Sequence, residues 1–257
     1  MMDTSNKPSD TRTEEENNRK GVWAKPVDRL KVSGIPDQAL NWNVEGRTLT
    51  GPLQGFGQLW QKTYRVRLSG ADVTPAEVIK TWRENFGSFW PKGNHFYTPL
   101  TRIEPGEVAV LNLAGPGGMP LSTGVIVIYA DEESFSFMNP AGHMFAGMIT
   151  FSSDIQDGAT CAQVQVLVRA NDPLWEIVMR MFGFRKEDQF WQDTLKSLAR
   201  YYGVNAEVKQ QTTCVDPRLQ WSQFGNVWHN AGIRSGIYMV SLPFRWVGRL
   251  IKRPDRA

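Results

Sequence analysis

The chain has 257 residues, 41% of them hydrophobic and 21% charged, with a net charge of +3 at neutral pH. This balance suits one large core and excludes fibrous or wholly disordered classes. The mild basicity (pI near 8.9) falls far short of the dense Lys/Arg stripe that nucleic-acid binding requires.

Residues 1–21 hold almost no apolar side chains, so they are expected to stay disordered, unable to offset their ordering entropy by burial. They contain no apolar h-region, which argues against a signal peptide or anchor and makes the cytoplasm the default compartment. Residues 22–55 carry Trp23, Val27, Leu30, Ile35, Leu40 and Trp42 without a steady period, as an arm lying on the main domain would.

From Gly57 to Leu68 the pattern alternates: Trp60, Tyr64, Val66 and Leu68 share one parity, and Gln61, Thr63, Arg65 and Arg67 the other, which predicts a strand with one wet face. Thr74, Pro75 and Glu77 then form a capping-box signature for a short helix, with Gly87 as its expected stop. Strand patterns follow at 107–113, 124–130, 134–138, 144–152 and 160–169, separated by turn-rich GPGG, DEE, NPAG and DIQDG, as in antiparallel hairpins. Next, Asp172 and Pro173 start a long amphipathic helix whose apolar stripe runs through Leu174, Ile177, Val178 and Met181, then Trp191, Leu195, Leu198 and Tyr202. Gly183 predicts a kink and Gly203 the end.

This order resembles the helix-grip arrangement, an α+β fold in which a curved antiparallel β-sheet wraps around a long C-terminal α-helix. The stretches NVEGRTLTGPLQGFGQLWQKTYRVRL, TPAEVIKTWRENFGSFWP, LSTGVIVIYADEESFSFMNPAGHMFAGMITFS and RANDPLWEIVMRMFG are similar to a bacterial branch of the START-like, pollen-allergen-like (SRPBCC) superfamily, which includes polyketide cyclases and lipid carriers. The resemblance implies a helix-grip domain over 56–204, a helical extension over 205–257 and a cavity between sheet and final helix. It supplies no shared catalytic motif and no cofactor.

Strand parity nominates Trp60, Tyr64, Val66 and Leu68, with Val164, Val166 and Val168, as inward residues, opposite Cys161, Gln163, Gln165 and Arg169. The helix offers Trp175, Met181, Phe182, Phe190 and Trp191 to shape a pocket; taken one by one, each reads more readily as plain core than as a ligand contact. Lys62 shares the inward parity and needs a partner, because a buried lone ammonium is costly. That partner is either an anionic ligand or an internal Asp or Glu, unless a bulge turns Lys62 outward. His143 precedes a strand in which Phe145, Gly147, Ile149 and Phe151 share a face. This places His143 at the cavity rim as a turn-stabilising residue, with Gly147 leaving room for a ligand.

Metal is not expected, since His95, His143 and His229 are scattered and no HxxxH, HExxH or paired-Cys spacing exists. No GxSxG elbow supports a triad. The glycine-rich Ala114–Gly118 reads as a hairpin loop, not a phosphate cradle, and the acids at 131–133, 154 and 157 as turn charges. Cys161 in a strand pattern and Cys214 in a polar linker form no disulfide framework.

In the tail, Asp216 and Pro217 suggest a further helix start, and Pro243, Phe244, Trp246, Val247, Leu250 and Ile251 lie among Arg245, Arg249, Lys252 and Arg253. The apolar run at 237–242 is far short of the roughly 20 residues a membrane span needs. The segment either packs on the domain or makes peripheral contact with an anionic membrane, with packing favoured. The favoured function is carriage of a small hydrophobic or amphipathic ligand. The alternatives are a cyclase-like or hydrolase-like enzyme using Lys62, Tyr64 or His143, and an interaction protein using the Trp-rich extension.

Overall fold

The computed structural model describes residues 22–34, 36, 39–98, 103–114 and 120–251, with side chains to 241. Nine strands form one antiparallel system: β1 (Leu49–Thr50), β2 (Leu59–Arg67), β3 (His95–Tyr97), β4 (Val108–Ala114), β5 (Pro120–Ala130), β6 (Ser134–Pro140), β7 (Phe145–Gln156), β8 (Ala159–Ala170) and β9 (Val208–Asp216). Their order is β3-β4-β5-β6-β7-β8-β2-β9, with β1 pairing on β6. The first long strand thus closes against β8, Trp60 opposite Val168 and Tyr64 opposite Val164, and the meander β4 to β8 runs hairpin by hairpin between them.

Helix α1 (Pro75–Glu84) starts at the capping box read from the sequence: the Glu77 N–H donates to Thr74 Oγ1, and the Thr74 N–H donates to Glu77 Oε2. Its stop differs, because Asn85 rather than Gly87 caps the helix. Gly87 sits instead in a 3₁₀ turn (Phe86–Phe89), where a Cβ would lie 3.2 Å from that of Phe96. Helix α1 drops Trp82 onto the concave face against Phe151, which stacks on Phe135 at 4.7 Å.

The long helix comes in three parts: α2 (Pro173–Val178), a π-helical turn (Met179–Gly183) and α3 (Phe184–Tyr201). The predicted kink at Gly183 is this π turn. Gly183 lets Met179 pack closely within this turn, where a Cβ would lie 2.4 Å from Met179 Sδ. The buried row Thr194, Leu195, Leu198 and Ala199 seats α3 on the concave face. The architecture is helix-grip: one curved antiparallel sheet closed around α2 and α3, with a further helix, α4 (Ala231–Ile251), after it.

A second, smaller core lies on another face of the sheet, where Leu30, Ala39 and Val44 from the arm cover Val108, Val110 and Ile126. Two readings of the tail are corrected. Val208–Asp216, with Cys214, is an edge strand paired with β2, and no helix begins at Asp216. Its carboxylate is taken by Arg169 and Arg218, and α4 begins at Ala231, where Asn230 Oδ1 accepts from the Ile233 N–H at 3.0 Å. Residues 1–21, Ile35, the glycine loop 115–118, Lys252 and Arg253, and the side chains of residues 243–251, on which the sequence raised expectations, lie outside the described residues.

Candidate functional site: a cavity under the long helix

Between the concave face and the long helix lies a cavity of about 200 Å³. Phe96, Leu111, Val125, Phe137, Ile149, Val166 and Val168 face it from the strands, and Trp175, Val178, Met179, Phe182, Phe190 and Trp191 from the helix. The π turn shapes this wall. By inserting one residue per turn it shifts the register, so that Met179, Phe182 and Gly183 all border the cavity. The wall is overwhelmingly apolar; its polar side chains are Asn94, Asn139, His143, Lys186 and Glu187.

Four of the nine nominated residues, His143, Phe145, Trp175 and Trp191, line the cavity. The other five lie elsewhere. Trp60 is half-buried against Phe184, ring centroids 5.9 Å apart. Gly147 does not make room for a ligand: at φ +149°, its missing Cβ would lie 2.2 Å from the Leu167 carbonyl oxygen, so the glycine serves the close approach of β7 and β8. Met181, on the outer side of the π turn, is 71% exposed.

Lys62 points inward, as its parity requires, and is 2% exposed. Its ammonium is engaged by Glu187 at 2.8 Å and Asp188 at 2.7 Å, and sits 4.6 Å from the centre of the Phe184 ring. Of the partners left open by the sequence, the structure supplies the internal ones, Glu187 and Asp188, and Lys62 does not line the cavity. Tyr64 donates to the same Asp188 at 2.6 Å. Burial, then the nearby Glu187 and Asp188 carboxylates, push its hydroxyl far above the ordinary range, so it remains a donor. Burial raises Glu187 despite Lys62 beside it. For Asp188, burial would do the same but is outweighed by hydrogen bonds from Lys62 and Tyr64, and its carboxyl is held low. Glu187 is the one member of this cluster that also borders the cavity; it lies 125 residues from Lys62 in the chain, and no sequence signal pairs them.

His143 sits in the turn after β6, its N–H donating to the Pro140 carbonyl at 3.1 Å. Its Nδ1 accepts the Phe145 N–H at 3.0 Å. The Phe145 carbonyl is also near, at 3.2 Å, but an amide proton is permanently present and a second proton on Nδ1 would face it, so Nδ1 is bare. Burial pushes the ring's pKa down to about 4, only partly offset by the Phe145 backbone. The ring is therefore neutral near pH 7 with its proton on Nε2, leaving one N–H donor beside the cavity. Two further donors, the indole N–H groups of the cavity-lining Trp90 and Trp175, are buried without an acceptor.

The depressed pKa has a measurable consequence. Between about 4 and the ordinary 6.5, the unfolded chain binds a proton at His143 that the folded chain does not, so stability falls as the pH falls through that window. The contribution is on the order of 3 kcal/mol. On going from pH 7 to pH 4, the wild type is expected to lose about 6–12 °C more in Tm than His143→Asn, which cannot titrate. Equal losses in the two proteins would show that the ring is not held neutral by burial.

Among the described residues no group of three or more His, Cys, Asp or Glu is placed to hold a metal ion, and no helix is long and apolar enough to cross a membrane.

A helix-grip sheet with an apolar cavity under its long helix defines the structural class. Solved structures similar to the chain include a START superfamily protein from Mycobacterium smegmatis, 17% identical over 57% of this chain and 98% of that one, TM-score 0.39. Another is Ara h 8.0201, 15% identical over 56% and 97%, TM-score 0.38. A third is the di-domain ARO/CYC StfQ from the steffimycin biosynthetic pathway, 8% identical over 57% of this chain and 51% of that one, TM-score 0.46. No family model and no curated protein sequence matches the chain. The fold assignment rests on the sheet order and helix placement given above.

Proposed function

We propose that the protein binds a small hydrophobic or amphipathic molecule in this cavity, in the cytoplasm, holding an oxygen of the ligand on His143 Nε2–H. The observation that carries the reading is the cavity itself. Close-packed interiors leave few voids larger than a water molecule, whereas this one measures about 200 Å³ and is walled almost entirely by apolar side chains. Apolar cavities of roughly 150 Å³ stay dry and accept apolar guests. Drug-sized sites run to about 300–1,000 Å³, so the ligand is small, a single ring system or a short acyl chain. Phe145, Trp175 and Trp191, with Phe182 and Phe190, supply apolar contact. His143 favours a ligand that carries an acceptor oxygen over a pure hydrocarbon, because a buried donor left unmatched costs about 1–3 kcal/mol.

The test is native mass spectrometry of the purified protein, followed by titration with paired probes that differ by one oxygen, such as naphthalene and naphthol, or a short alkane and its alcohol. Saturable one-to-one binding with a preference for the oxygenated member is expected. His143→Asn should keep most of this preference and His143→Leu should lose it, both with the fold intact. No saturable binding to any probe would overturn the proposal.

A further inference from the structure

We infer that the C-terminal helix α4 and the 3₁₀ turn before it form a docking face for an anionic membrane surface. Helix α4 is 21 residues long, about 30 Å at 1.5 Å per residue. One row of its first half packs on the protein: Ala231 and Ser235 are buried, Ala231 O and Ser235 Oγ accept hydrogen bonds from Asn43 Nδ2, and Tyr238 lies 4.2 Å from the Trp42 ring. The opposite row, Ile233, Ile237 and Val240, faces outward, with Ile237 65% and Val240 72% exposed. In the sequence the same spacing continues through Phe244, Val247 and Ile251. The preceding turn, Trp221–His229, has no buried residue and exposes Trp221, Phe224 and Trp228, the last to 81%. Scattered exposed apolar side chains are ordinary on a protein surface; an outward row of three, preceded in the chain by three exposed aromatics of which Trp221 and Phe224 also touch Phe56, is not.

Charge identifies the occupant. From Ala231 to Ala257 the sequence carries Arg234, Arg245, Arg249, Lys252, Arg253 and Arg256 against the single acid Asp255. Apolar residues and exposed tryptophans beside such a cationic excess match the boundary of an anionic bilayer. The same composition disfavours a second copy of the chain, since pairing the face on itself would bring like charges together. The face begins at the cavity wall: Asn230 donates to Asp172, the cap of α2, at 2.8 Å, and a Cβ on Gly232 would lie 3.1 Å from the Trp175 ring. Docking would thus bring a membrane beside the cavity, but the inference does not depend on the cavity being occupied.

The experiment is co-flotation of the full chain with vesicles of phosphatidylcholine alone or mixed with phosphatidylglycerol, at low and high salt. Binding is expected to the anionic vesicles at least about tenfold above the neutral ones, weakening as added salt shortens the screening length from about 10 Å to about 3 Å. Ile237→Asp with Val240→Asp should remove at least about tenfold of this binding with Tm unchanged, because both positions are exposed. Arg245→Gln with Arg249→Gln should weaken it about 25-fold, from about fivefold per basic residue near an anionic surface. The inference is overturned if the anionic vesicles float no protein, if the aspartate variant binds as the wild type does, or if that variant instead abolishes a dimer that has no affinity for vesicles.

Discussion

Arg169→Ala is expected to lower stability by about 3–5 kcal/mol, one of the two largest effects of any single substitution considered. The guanidinium is 1% exposed and spends its donors on four groups from separate parts of the chain. Nε donates to the Pro52 carbonyl at 3.0 Å, Nη1 to the carbonyls of Gly57 and Arg218 at 2.7 and 2.9 Å, and Nη2 to the Asp216 carboxylate at 2.6 Å. It thereby ties β8 to the approach to β2 and the end of β9. Removing it leaves the carbonyls of Pro52, Gly57 and Arg218 without this donor at once, while the Asp216 carboxylate keeps only Arg218. Equilibrium denaturation should register the loss, with Tm falling by about 6–20 °C. Arg169→Lys keeps the charge but not the planar fork, and should fall between the two. A cost below about 1 kcal/mol for the alanine variant would mean that the guanidinium does not staple these segments.

Lys62→Met is the second large effect, and its size depends on pH. The substitution leaves the Glu187 carboxylate buried without its cation, at a cost of about 3–5 kcal/mol near neutrality. Burial already raises Glu187, and loss of Lys62 raises it further. Between the ordinary Glu value and this raised one, the folded variant holds a proton that the unfolded chain has released, so its stability falls as the pH rises through the window. The deficit relative to wild type should therefore shrink on acidification from pH 7 to pH 5. Adding Glu187→Met should recover most of the deficit at pH 7, since an apolar pair in an apolar wall leaves no unpaired charge. A double variant no more stable than the single would show that Lys62 is not there to neutralise Glu187. Asp188, partly exposed and still bonded to Tyr64, should tolerate the change.

The local chemistry of the helix starts was legible because the information is contained in three or four neighbouring residues. Thr74-Pro75 with Glu77, and Asp172-Pro173, cap α1 and α2 as their side chains dictate. The inward parity of β2 was equally plain, and it held even for Lys62. What faces that parity was not legible. Glu187 and Asp188 lie on a helix whose rotation against β2 is fixed by packing around the π turn, and a glycine at 183 announces a kink without announcing its geometry.

Edge strand β9 escaped for the opposite reason. Its side chains are nearly all exposed or half-exposed, so no apolar alternation marks it, and it exists because β2 offers it an unpaired backbone. Arg169 illustrates the same limit from the other side of the sheet. Alternation assigns it to the face away from the cavity, which is where it lies; that the face is covered depends on the 51–57 segment, more than a hundred positions away, and on the end of β9, 47 positions away.

Sequence by itself therefore determined the order of the main strands and helices, the inward face of β2 and the apolar character of the space beneath the helix, because periodicity and caps act over a few residues. Tertiary structure alone decided that the space stays open as a cavity, that Lys62 is satisfied from within, that Trp60, Gly147 and Met181 stand outside the wall, and that His143 holds its proton on Nε2. Each of these depends on burial and on partners that only the closed fold brings within hydrogen-bonding or van der Waals reach.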